Sequence, residues 1–183
     1  MNKALKILLF ADGLVLFSAA MLGPIYALFV EKVGGDLLAA SWAFTVYALV
    51  AAVAIFIIGR FEDRVKELEL MVIGGYLIMA FGFLAYMFVG SPKGLFVVQA
   101  IIGLGEAVYK PAFDGVYSKH LDKKKKAFQW GSWEALYYVA IGLVAFFGGL
   151  IASRLGFNAL FIIMSALCFL SAAYIYFLPR KAL

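Results

Sequence analysis

Six long apolar segments fill almost the whole chain, roughly Ala4–Val30, Ala39–Phe61, Leu70–Val89, Leu95–Tyr117, Phe128–Ala152 and Asn158–Leu178. A hydrocarbon core about 30 Å thick needs about 20 residues of helix, so each segment is long enough to cross a bilayer. Backbone amides at that depth find no water, which leaves helices as the form such segments take. The expected fold is an all-α membrane protein with six transmembrane helices, in one domain over residues 1–183. The connections are too short to hold a second domain, and no Pro/Gly/Ser-rich linker or low-complexity tract interrupts them. A chain that is 66% hydrophobic and 15% charged is not a soluble domain around one buried core. The apolar stretch after Asn2–Lys6 is too long for a signal peptide and is broken by Asp12.

The net charge of +5 raises the question of nucleic acid, and its distribution answers it. Lys3, Lys6, Arg60, Arg64, Lys66, Lys119, Lys123, Lys124, Lys125, Lys126, Arg180 and Lys181 fall at the two termini and in the second and fourth loops. An even number of spans puts those places on one side. The opposite side has Lys32, Lys93 and Arg154, and Lys110 lies inside the fourth segment. Twelve against three is a positive-inside bias, which makes both termini cytoplasmic. The basic run then orients the chain and meets anionic lipid rather than nucleic acid. Cys168 is the single cysteine, so intrachain disulfides and cysteine metal clusters are excluded, and it reads as a packing residue. His120, the single histidine, sits in the basic loop, and no metal or cofactor is expected.

Charge deep in the segments is selective. The third and sixth segments have no Asp, Glu, Lys or Arg; the first holds Asp12, the fourth holds Glu106, Lys110 and Asp114, and the fifth holds Glu134. Ionisable groups at membrane depth are costly and face a bundle interior or a wet cavity. Gln99, Gly103, Glu106, Lys110 and Asp114 step by 4, 3, 4 and 4 residues and so share one helix face. Glu106 lies about 16 Å into its span at 1.5 Å per residue. Asp12, Lys110 and Glu134 fall at similar depth, which predicts an ion-paired layer below the midplane. A simpler reading pairs Glu106 with Lys110 at i,i+4. One lysine does not neutralise Asp12, Asp114 and Glu134 as well, so some of these acids are expected to be protonated or in contact with water.

Pro24 removes a backbone donor and predicts a break in the first helix. Gly74, Gly75, Gly82, Gly142, Gly148 and Gly149 are expected to let helices approach closely. Trp42, Trp130, Trp133, Tyr174 and Tyr176 read as interface anchors, with a cavity-facing Trp130 and Trp133 as the alternative. No zinc-binding His pair, Gly-x-Ser-x-Gly turn or nucleophile–base pair lies at membrane depth, so an enzyme is not expected.

Gly59-Arg60-Phe61-Glu62-Asp63-Arg64, at the end of the second segment, resembles the Gly-x-x-x-Asp-Arg signature of the major facilitator superfamily. Leu22–Tyr26 through Gly34-Gly35 resembles that family's first helix and periplasmic turn, and Gln99-x-x-x-Gly103-x-Gly105 its fourth-helix motif. The chain departs from the pattern in Val65-Lys66-Glu67 after the signature, in Gln99 where the family has arginine, and in Val144-Ala145 where the antiporter motif has Gly-Pro. The resemblance implies a secondary active transporter working by alternating access. It assigns Gly59, Asp63, Arg64 and Asp114 to a cytoplasmic gate network, with Gly59 at a helix contact. Family members have about twelve helices in two halves, and six would leave one cavity wall missing. A parallel homodimer would supply it. Asp12, Glu106, Lys110, Glu134 and Gln99 are then the candidate lining of a pathway for a small-molecule substrate. Asp12, Glu106 and Glu134 suit protons or a cationic substrate, and Lys110 an anionic group. Met1 and the basic Pro179-Arg180-Lys181 ending fit a complete chain. The other expectations are one half of a hetero-paired or split transporter, and a non-transporting membrane scaffold. Loops without long glycosylated insertions point to a prokaryotic inner membrane.

Overall fold

Every backbone donor inside a lipid-spanning segment has to be satisfied within that segment, and the chain does so as helix. In the computed structural model, which describes residues 3–62 and 65–178, the order is α1 (Lys3–Leu22), α2 (Tyr26–Lys32), α3 (Leu37–Glu62), α4 (Leu68–Ala85), α5 (Pro92–Lys119), α6 (Lys126–Val139) and α7 (Ala145–Tyr176). A 3-10 turn over Gly23–Ile25 separates α1 from α2, so the expected break falls at Pro24. Asp36 begins α3 as a cap, its carboxylate accepting the Ala39 amide at 2.7 Å.

Five runs are long and apolar enough to cross a membrane: Lys3–Lys32, Leu37–Arg60, Leu68–Phe88, Pro92–Lys119 and Lys126–Tyr176. The sequence reading has six, because it divides the last run in two. That run is 51 residues long, about 77 Å if straight, more than twice the hydrocarbon thickness. It contains a π-helical turn, Ala140–Val144, and one non-helical residue, Gly156, at φ +83° and ψ 168°. Two helices meet at a kink at Gly156, with no loop between them. Contacts with α1 reverse direction across it. Before it, Gly13 meets Leu136 and Gly148 meets Met21. After it, Ser18 donates to the Met164 carbonyl at 2.9 Å, and Ser171 to the Ala11 carbonyl at 2.7 Å.

Small residues set the helix spacing. An added methyl on Gly75 would lie 2.7 Å from the Gly105 carbonyl oxygen, and one on Gly103 2.6 Å from the Tyr47 carbonyl oxygen. These contacts hold α4 and α3 against opposite sides of α5. Of the six glycines expected to pack, Gly75, Gly82 and Gly148 do so, whereas Gly74, Gly142 and Gly149 have nothing within 4 Å. Cys168 is fully buried, with its thiol 3.5 Å from the Ser18 hydroxyl. Phe29, Tyr86 and Phe161 form an aromatic cluster, with ring centroids 4.8–5.5 Å apart. The apolar window of α3 is only 17% buried, against 44–50% in the other four runs.

Candidate functional site

The polar face of α5 divides between two environments. At one end, Gln99 and Glu106 line a cavity of about 290 Å³ whose walls also include Tyr26 of α2, Phe44 and Tyr47 of α3, Phe83 of α4, and Tyr86. Glu106 is half-buried and accepts a hydrogen bond from the Tyr47 hydroxyl. Gln99 is 8% exposed. The Tyr26 hydroxyl is buried near Gln99 and Tyr86 and has no aligned hydrogen-bond partner. A buried tyrosine hydroxyl ordinarily finds a partner, and Gln99 and Tyr86 are the polar side chains nearest to this one at the cavity wall.

Towards the other end, Asp12 is completely buried. Its carboxylate accepts the Trp133 indole N–H at 2.6 Å and the Tyr76 hydroxyl at 3.1 Å. The Lys110 ammonium sits 3.8 Å from the centroid of the same indole, and Tyr137 stacks near-parallel to it at 6.2 Å. The indole thus offers its polar edge to a carboxylate and its electron-rich face to a cation. Tyr137 is also within electrostatic range of Tyr47, and Asp114 of Lys110. The two clusters are therefore near one another.

This arrangement corrects the expected ion-paired layer of Asp12, Lys110 and Glu134. Trp133 stands between Asp12 and Lys110, and no ion pair joins Lys110 to a carboxylate among the described residues. The intrahelical Glu106–Lys110 pair is absent too, since Glu106 turns to Tyr47 and Lys110 to Trp133. Glu134 is exposed on α6. Adjacent helical residues point about 100° apart, so burying Trp133 turns Glu134 outward. Trp133 is correspondingly not an interface anchor. Gly59 has nothing within 4 Å of where a side chain would start, so the expected close helix contact is not present among the described residues. Asp63 and Arg64 lie outside the described residues. Asp114 is half-buried on α5.

Residues 8–183 match the Major Facilitator Superfamily. The chain belongs to that superfamily. An uncharacterized MFS-type transporter of Bacillus subtilis (strain 168), YitZ, is 24% identical over 158 residues, covering 85% of this chain and 94% of the relative. The in meso crystal structure of the POT family transporter PepTSo superimposes with a TM-score of 0.75 at 19% identity, covering 96% of this chain and 37% of that one. The likeness to PepTSo is one of fold. The chain thus spans nearly the full length of the Bacillus relative and little more than a third of the POT-family transporter. This MFS chain is an integral membrane transport protein.

Sequence reasoning about the MFS chain singled out Asp12, Gln99, Glu106 and Lys110, and gave an inward-facing Trp133 as an alternative, but missed Tyr47 and Tyr76, which hydrogen-bond Glu106 and Asp12. The available signal was an aromatic residue with a polar tip, mid-span among apolar neighbours. Such a tip needs a partner once buried.

Proposed function

We propose that this MFS chain moves a small solute across a bacterial cell membrane by alternating access, as a parallel homodimer that rebuilds a two-halved cavity. The observation that carries the reading is a largely aromatic and apolar cavity holding Glu106 and Gln99, in a chain that covers only 37% of a transporter of the same fold. One copy supplies one wall, and a second inserted in the same direction supplies the other. Six spans, with both termini cytoplasmic, are part of the proposal. The reversed contacts on the two sides of Gly156 support counting Lys126–Tyr176 as two passes. The twelve-to-three split of basic residues supports a single direction of insertion. The sparsely buried α3 has apolar surface available for the partner. Residues 1–183 act as one domain, and transport rather than catalysis is its activity.

Within that frame Glu106 and Gln99 face the solute, and Asp12, Glu106 and Glu134 are the carboxylates assigned to proton movement. Gly59, Asp63, Arg64 and Asp114 are assigned to the cytoplasmic gate. Co-reconstitution of two differently tagged copies tests the assembly. Cross-linking of one tag to the other is the expected result, and absence of self-pairing favours a hetero-paired half. In proteoliposomes, solute flux should follow an imposed pH gradient and stop when it is collapsed. Flux of unchanged rate without the gradient removes the proton coupling. Wild-type flux in Glu106→Gln removes the cavity assignment.

A further inference from the structure

The cavity wall combines five aromatic rings, those of Tyr26, Phe44, Tyr47, Phe83 and Tyr86, with the carboxylate of Glu106. Glu106 is the one charged group among the described lining residues. Lys110, one helical turn further along α5, does not line the cavity and is engaged with the Trp133 ring. Aromatic faces carry negative electrostatic potential and attract organic cations, most strongly where water is excluded. A carboxylate set among them adds the opposite charge. An anion would meet aromatic rings and Glu106 and find no cation in this lining.

Resting on the transport reading above, we propose that the cavity takes an amphipathic organic monocation, an amine or quaternary ammonium with an aromatic or alkyl body. The charged nitrogen lies at Glu106, beside the oxygen that accepts the Tyr47 hydroxyl, and the body lies against the rings of Phe44, Phe83 and Tyr86. Within one copy's wall, one carboxylate matches one positive charge. A zwitterionic lipid headgroup is a poorer occupant, because its phosphate has no cationic partner among these residues. Gln99 and the buried Tyr26 hydroxyl give the ligand one polar contact region away from the charge.

The test is equilibrium binding of radiolabelled benzyltrimethylammonium to the purified full chain, with phenylmethanesulfonate as competitor. The two share an aromatic body and differ in the sign of charge. Saturable cation binding that the sulfonate does not displace is expected, with affinity falling roughly tenfold or more in Glu106→Gln. Equal competition by the sulfonate overturns the proposal, as does unchanged affinity in a folded Glu106→Gln. The charge-sign comparison uses the unmodified chain, so it decides the matter even where the variant does not fold. Flux of another solute without benzyltrimethylammonium binding overturns this assignment and leaves the transport reading standing. Saturable, Glu106-dependent binding with no flux of any solute does the reverse.

Discussion

Trp133 shows how one side chain settles a charge problem at membrane depth. Its N–H satisfies the buried Asp12 carboxylate and its ring face receives the Lys110 ammonium, so two opposite charges share one neutral intermediary. Trp133→Phe keeps a ring and deletes the donor, leaving one buried carboxylate oxygen without its partner. The expected loss is about 1–3 kcal/mol of stability. Cys168, the single cysteine and fully buried, is the natural reporter, because a thiol-reactive dye labels it as the bundle opens. A labelling transition at the same temperature in Trp133→Phe and in the unmodified chain would remove the indole from this role. The sequence showed the charged residues here but not their spacing across helices. Three groups at similar depth were consistent with direct ion pairs, and only the rotation of α6 decided that Trp133 faces in and Glu134 faces out.

Helices in this bundle meet where glycine removes the side chain, and adjacent glycines are not equivalent. A methyl on Gly148 would overlap the Met21 carbonyl of α1, whereas one on Gly149 meets nothing within 4 Å. Gly148→Ala should therefore cost about 2 kcal/mol or more through backbone displacement, and Gly149→Ala close to nothing. Thermal unfolding of the pair in the same detergent compares them, and matching transitions would count against the α1–α7 contact. Gly156 belongs to the same scale. Its φ of +83° with ψ of 168° is a region that essentially only glycine adopts, so Gly156→Ala should destabilise by about 1–3 kcal/mol. Reduced monodisperse yield and an earlier transition are the expected readouts; an unaltered transition would mean the chain turns without that conformation. The sequence reading placed the connection at this point from its apolar boundaries, but a one-residue kink between two helices gave composition no sign of its conformation.

Across the whole molecule, α3 is the membrane-length helix least covered by the rest of the chain. Tyr47 bonds Glu106, Lys110 lies on the Trp133 ring, and α3 leaves most of its apolar surface uncovered by the rest of the chain. Lipid can cover such a surface, but it gives half-buried charged groups no partners. The complex released from native-like lipid is therefore expected to weigh twice the 20.0 kDa chain. Intact-mass measurement under gentle conditions checks this, and a strict monomer would direct the search to a different partner half.

By itself the sequence determined the medium and the element type. Those follow from hydrophobic length and from backbone hydrogen bonding in lipid, both of which are properties of the chain in one dimension. It also singled out Asp12, Gln99, Glu106 and Lys110, because polar residues are conspicuous against an apolar background. Only the tertiary structure decided which of them share a site. The rotation of each helix about its axis is set by contacts such as Gly75 on Gly105, Gly103 on the Tyr47 backbone and Gly148 on Met21. Those rotations place Tyr47 on Glu106 and Trp133 between Asp12 and Lys110. Helix rotation depends on which surfaces interlock across the bundle, and that information is shared among segments far apart in the chain.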